Sequence, residues 1–217
     1  MSIRDMVSRN SDFNETKDFI PTPPYATRAL YRHVSPDLAE GAEGMSVWDP
    51  AAGEGHMLGV FKDQCHEPIF GTDLYNHGAG FPALDFTSRK AVDDFVFVRG
   101  KPWAIITNPP YKCMMDFILN GLDATDRFLA LLTRVQVLES QKRYTRVYEK
   151  APPTTIGIFS DRIPFKTGVV VQKAPKMFTH IWVVWDKERM GANRDDTRTI
   201  WIPPNAQQTL ERKSDYE

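Results

Sequence analysis

Apolar and polar positions along the chain follow two rhythms. Runs at Met45–Asp49, Ile69–Asp73, Trp103–Thr107, Arg127–Thr133, Thr155–Phe159 and Thr179–Trp185 read as strands, because each is a short apolar stretch bounded by turn formers. Between several of them the apolar residues recur at helical spacing: regularly at Met114, Phe117, Ile118, Gly121 and Leu122, less tidily at Val135, Leu138, Tyr144 and Val147. Ahead of the first strand, Thr22-Pro23-Pro24 predicts a helix with Thr22 as N-cap and Pro23 in its first turn, where a missing N–H costs nothing. That helix should end near Val34. Strand and helix in alternation predict an α/β domain with a mostly parallel sheet covered on both faces.

The periodic region spans residues 19–190. Before it, Met1 to Glu15 are polar and unpatterned, so residues 1–18 are expected to form a loosely held arm. Residues 164–178 carry Pro, Gly, Lys and a Val169-Val170-Val171 patch; they predict a loop or short hairpin that interrupts the sheet and is a candidate substrate contact. Residues 191–217 are expected to be a C-terminal tail.

Composition narrows the class. The 217 residues are 41% hydrophobic and 25% charged, which excludes a disordered, collagenous or coiled-coil chain and fits one domain with additions. No apolar run approaches the ~18 residues of a membrane span, and no charged-then-apolar leader opens the chain, so a cytoplasmic protein is expected. Cys65 and Cys113 are too few for a disulfide framework or a Cys-rich zinc site. The five histidines, at 33, 56, 66, 77 and 180, lack metal-ligand spacing, and no metal is expected. Net charge is −1, yet residues 127–176 hold ten Lys or Arg against three Asp or Glu. Such a split can orient a polyanion on one face.

Two motifs carry chemistry. Val47-Trp48-Asp49-Pro50-Ala51-Ala52-Gly53-Glu54-Gly55-His56-Met57 is a strand that ends in a small-residue turn and enters a helix, so its backbone can lie against a nucleotide-like ligand. A dinucleotide fingerprint would want a third glycine where Leu58 stands, and there is no Gly-Lys-Ser/Thr, which disfavours NAD and ATP. Asp73, at the end of the next apolar run, lies near the distance at which a carboxylate meets ribose hydroxyls, and suggests a nucleoside without phosphate. Asp85-Phe86 pairs an acid with an aromatic that could meet an exocyclic amine and a purine face.

The second motif is Asn108-Pro109-Pro110-Tyr111, at the C-terminal end of an apolar strand, where ligands bind in open α/β sheets. Two prolines fix φ and remove donors, so the Asn108 side chain and the Pro109 carbonyl become preorganised acceptors. Such a pair suits a planar –NH₂ group, whose lone pair can be aimed at an electrophile as the nitrogen pyramidalises. Tyr111 offers a flat face for stacking, and a flipped base is a plausible guest.

On these residues the chain resembles the S-adenosylmethionine-dependent N6-adenine methyltransferases of DNA. Five segments follow that family's order: Phe19-Ile20-Pro21-Thr22-Pro23, the glycine motif Asp49 to Gly55, Asp73, Asp85-Phe86, and Asn108-Pro109-Pro110-Tyr111. The resemblance implies a class I, Rossmann-like, three-layer α/β/α fold whose seven-stranded mixed sheet has its last strand, Thr179 to Trp185, antiparallel. It implies S-adenosylmethionine held by Thr22, Pro23, Asp49, Ala51, Gly53, Gly55, Asp73, Leu74, Asp85, Phe86 and Asn108, and catalysis by Asn108, Pro109, Pro110 and Tyr111. Substrate would meet Tyr111, Lys112, Arg143, Arg146, Arg162 and an aromatic late in the chain, Phe165, with Phe159 second. The expected enzyme methylates adenine N6 in DNA by base flipping, as a monomer or dimer. Only the 164–178 segment and a short tail remain for reading sequence, so low sequence specificity is expected. RNA adenine methylation, glutamine-N5 methylation of protein and a cofactor-binding accessory subunit are the alternatives.

Overall fold

The computed structural model describes residues 20–166, 169–173, 178–190 and 196–216. The expected arm, residues 1–18, lies outside them, as do Phe19 and parts of the 164–178 and 191–217 segments. Seven strands form one mixed sheet: β1 Val47–Asp49, β2 Ile69–Gly71, β3 Ala104–Thr107, β4 Phe128–Arg134, β5 Thr155–Phe159, β6 His180–Asp186 and β7 Arg198–Ile202. Their order is β2-β1-β3-β4-β6-β5-β7. β6 runs antiparallel to both β4 and β5, while the other pairs are parallel. This is the mixed sheet expected from the sequence, with the antiparallel strand at Thr179 to Trp185 present within one residue.

The helices are α1 Pro24–Ala29, continued by a π turn Leu30–Val34, then α2 Pro36–Glu40, α3 His56–Asp63, α4 Arg89–Arg99, α5 Met114–Ala124, α6 Gln141–Arg143 and α7 Ala206–Leu210. Both faces of the sheet are covered, so its central strands are continuously apolar. Along β4, Phe128, Ala130 and Leu132 enter one core with Leu30, Phe61 and Trp182. Leu129 and Leu131 enter the other, with Trp48, Phe86, Ile118 and Trp185. The two-residue period of a strand sorts them.

Two expectations need correction. Thr22 does not cap the first helix: Pro23 takes the N-cap position, without a side-chain cap bond, and Pro24 opens the helix. The Thr22 hydroxyl is engaged by Asn108 instead. Nor is 191–217 merely a tail. β7 pairs in parallel with β5 along Arg198 to Ile202, and Ile202 and Ala206 are buried in the first core. Arg28 then locks the end of the chain through two bonds to Asp215, of 2.7 and 2.8 Å, and one to the Leu210 carbonyl. The irregular spacing at 135–147 resolves into a 3₁₀ turn Val135–Leu138, α6 and a π turn Tyr144–Tyr148. The described part of 164–178 carries neither helix nor strand. No helix among the described residues is long and apolar enough to cross a membrane.

Candidate active site

β1 ends in the turn that leads to α3, and two of its glycines take left-handed φ angles, 56° at Gly53 and 88° at Gly55, which favour glycine strongly. A Cβ on Gly55 would stand 2.9 Å from the Phe81 ring; this glycine lets the helix start and the loop pack. Gly53 N–H donates to Asp73 Oδ2 at 2.8 Å, and Tyr75 N–H donates to Oδ1 at 3.0 Å. Asp73 therefore pins the turn, and each oxygen keeps further acceptor capacity.

Asp49 is 1% exposed. Burial pushes its carboxyl up to about 7, against the opposing pull of the Thr107 hydroxyl and the Ala51 N–H, and the charge of Asp73 adds to the rise. A cation placed here would recover that cost, because opposite charge favours the ionised form.

β3 delivers Asn108 to the same edge. Its Nδ2 donates to Thr22 Oγ1 at 3.0 Å and towards the Ile20 carbonyl at 3.4 Å. A carbonyl can only accept, so the amide orientation is determined: nitrogen towards residues 20–22, Oδ1 turned away as an acceptor. Proline geometry next to it carries the chain into the turn Tyr111–Cys113.

Tyr111 is held by a relay. His180 Nδ1 lies 3.2 Å from the Phe178 carbonyl, so that nitrogen carries the hydrogen; the bare Nε2 then accepts from the Tyr111 hydroxyl at 3.0 Å. Burial lowers His180 to about 4, helped by the nearby Arg134 charge and resisted by the Phe178 carbonyl, which keeps the ring neutral at pH 7 and the relay intact. Burial also raises the Tyr111 hydroxyl, with Arg134 opposing.

These elements open onto one cavity of about 370 Å³. Of the sequence-predicted residues, Thr22, Asp49, Ala51, Gly53, Asp73, Leu74, Asp85, Phe86, Asn108, Pro109, Pro110, Tyr111 and Lys112 line it. Phe86 is mostly a core residue, with its ring 5.1 Å from Trp48 and 4.8 Å from Phe117. Asp85 Oδ1 accepts from the Thr87 N–H and hydroxyl, at 2.9 and 2.6 Å. Pro23, Gly55, Phe165, Arg143, Arg146 and Arg162 stand off the cavity wall. Phe165 packs against the first core and on His180, at 4.5 Å, and Phe159 is buried core.

The basic window does not form one face. Arg127 sits at the opposite edge of the sheet, paired with Asp186 and Glu188. Arg143 spends its guanidinium on the carbonyls of Gln136, Val137 and Glu139. Arg146 is exposed on the π turn, and Arg162 is exposed as well. Charge counted along a sequence ignores strand direction, which separates Arg127 from Arg134 by roughly 23 Å.

Sequence reasoning missed three supporting residues, Arg134 on the cavity wall, His180 behind Tyr111, and Asn120, whose Nδ2 holds the Phe86 carbonyl at 2.8 Å, and it missed the role of Thr22 as the anchor of Asn108. Only Asn120, a polar residue among the apolar positions of α5, left a readable signal.

The strand order, the one antiparallel strand, the glycine turn after β1 and the cavity at the C-terminal edge define the class I, Rossmann-like methyltransferase fold. Among solved structures the chain is similar to a predicted O-methyltransferase from Agrobacterium tumefaciens, with TM-score 0.50, 13% identity and coverage of 83% of this chain and 85% of that one. It is also similar to a precorrin-6y C5,15-methyltransferase from Geobacter metallireducens, with TM-score 0.49, 13% identity and coverage of 81% and 95%. Likeness at this level speaks to the fold alone. No family model matches the chain, and no curated protein matches it.

Proposed function

We propose that the chain is an S-adenosylmethionine-dependent methyltransferase that acts on the N6 amino group of adenine in DNA, with the target base rotated out of the stack and little sequence specificity. One observation carries this reading: Asn108 has its amide nitrogen tied to residues 20–22, and lines the cavity that the glycine turn also lines.

The cavity fits the cofactor. About 370 Å³ falls within the ~300–1,000 Å³ of small-molecule sites. Gly53 and Ala51 let the backbone approach closely, Asp73 offers acceptors to hydroxyls, and the reluctant charge of Asp49 suits an ammonium group. Thr22, Asp49, Ala51, Gly53, Asp73, Leu74, Asp85, Phe86 and Asn108 would hold it, with Pro23 and Gly55 shaping the walls from behind. When bound, the cofactor supplies a methyl group activated on a sulfonium. The protein supplies geometry: Asn108 Oδ1 and the Pro109 carbonyl accept the two N–H bonds of the amine and fix its plane. Tyr111, held by His180, provides the face on which the base lies, and exposed cations such as Lys112 and Arg146 meet phosphates.

Incubation with methyl-labelled cofactor, followed by mass spectrometry of nucleosides and peptides, should find N6-methyladenine in DNA. Label in RNA or on a glutamine amide instead would reassign the substrate. Asn108→Ala should lower turnover by roughly 100- to 1,000-fold, the scale for losing one preorganised polar group at a reacting centre, while calorimetry still detects cofactor binding. Turnover retained in that variant would refute the mechanism.

A further inference from the structure

Arg134 ends β4 directly opposite His180 on β6, so both side chains share a face of the sheet and both reach Tyr111. The Arg134 guanidinium carbon lies 4.2 Å from the Tyr111 ring centroid and 3.7 Å from that of Phe178. Both separations are within the range of cation–π contact. The guanidinium thus lies over both aromatic rings, on the wall of the cavity. Its bonding is incomplete: the guanidinium reaches the Tyr111 hydroxyl, but Nε is buried without a hydrogen-bond partner, and among the described residues no carboxylate pairs with it. A planar, permanently charged fork with unspent donors is matched to a phosphate.

We propose that Arg134 is the specificity-determining residue that makes this site accept a base only when a phosphate arrives with it. The inference rests on the reading of Tyr111 as the stacking surface for the target base. A base that stacks on this face of Tyr111 must take the layer Arg134 fills, since two flat groups cannot share one slot. The displaced guanidinium loses its contacts with two rings and regains them only from an anion within reach of its side chain. A nucleotide in a polymer brings that anion; a free nucleoside does not. Base admission is therefore exchanged against phosphate binding, and free adenosine is rejected.

The test compares Arg134→Ala and Arg134→Lys with the parent protein by binding of adenosine, adenosine monophosphate and a fluorescein-labelled oligonucleotide containing one adenine, with no turnover needed. Arg134→Ala should bind adenosine roughly tenfold more tightly, the upper part of the range for one lost cation–π competitor. It should lose the preference for the monophosphate, and bind the oligonucleotide more weakly with a salt dependence shallower by about one charge. Arg134→Lys keeps charge without a flat fork, so it should gain adenosine affinity while still preferring the phosphate. Unchanged ratios among the three ligands in both variants would overturn the proposal and leave Arg134 a structural staple. If Arg134→Ala does not fold, Arg134→Lys decides by the same ratios. A parent protein that binds the monophosphate and the oligonucleotide and disfavours adenosine, but methylates no adenine, would refute the proposed activity while the exchange is still measured.

Discussion

β4 carries an arginine at each end, and the two are treated in opposite ways. Arg127 flanks its N-terminal end and is satisfied: Nε meets Asp186 at 3.3 Å, Nη2 meets Glu188 at 2.9 Å, and the guanidinium lies 4.6 Å from the Phe128 ring centroid. Arg134 closes the C-terminal end and meets aromatic rings, with no carboxylate partner among the described residues. The contrast extends along both edges. At the C-terminal edge Asp49 is buried and resists ionisation, His180 stays neutral, and Arg134 keeps a buried donor unpaired. Asp49 and Arg134 line one cavity and His180 backs its Tyr111 wall, and incomplete compensation converging on a cavity is the physical mark of a place built for something else to bind.

Removing each arginine should break this symmetry most visibly. Arg127→Ala leaves the Asp186 carboxylate, 4% exposed, without its partner. The expected cost is about 3 kcal/mol, the low end for unpairing a buried ion because Arg127 itself keeps some exposure, or roughly 6–12 °C in Tm for a chain of this size. Arg134→Ala should cost only about 1 kcal/mol, the value of its ring contacts. Calorimetric melts of the two variants check both, and equal losses would erase the distinction between the edges.

Next in size is the anchor of Asn108. Thr22→Val keeps shape and removes the hydroxyl that accepts from Nδ2. Losing one such bond costs about 1–2 kcal/mol in a buried setting, so kcat for the proposed methylation should fall about tenfold, with Tm lower by roughly 2–8 °C and KM for the nucleic acid little affected. A change in KM alone would mean that the Ile20 carbonyl suffices to orient the amide.

The apolar strands were legible because a covered sheet demands continuous hydrophobic runs, and β1, β3 and β5 need no other signal. The residues that line the cavity were legible for a related reason: glycine turns and Asn-Pro-Pro-Tyr have few structural uses at a strand's end. What escaped was long-range. β7 reads as polar and mixed because an edge strand buries little, and Trp201 remains 64% exposed. Thr22 has the composition of a cap, but a side chain 86 residues away claims its oxygen. His180 and Arg134 meet only through antiparallel register, which no local pattern encodes.

The electrostatic contrast predicts a pH dependence of definite sign. Asp49 has a folded-state value of about 7, above the ordinary ~3.9 of an unfolded Asp. Its contribution therefore favours the folded state fully at low pH and is lost as pH rises from about 4 through 7. Asp49→Asn removes that loss. Denaturant unfolding of both proteins from pH 4 to 8 should show their stability difference moving steadily in favour of the Asn variant. A difference independent of pH would mean that Asp49 ionises freely.

The smallest effect separates two neighbours in the basic window. Arg143 is pinned on three backbone carbonyls, so Arg143→Glu disturbs the turn it braces and reports on stability as well as charge. Arg146 is exposed on the adjoining π turn, and Arg146→Glu changes charge with little structural cost. If this surface meets the nucleic-acid backbone, Arg146→Glu should weaken oligonucleotide binding severalfold at low salt and reduce the slope of log K against log salt by about one, leaving adenosine binding untouched. The Arg134 variants strengthen adenosine binding, which Arg146→Glu does not move, so the two residues are told apart by ligand rather than by magnitude. An unchanged salt slope in Arg146→Glu would confine phosphate recognition to the cavity edge, with Arg134 and Lys112.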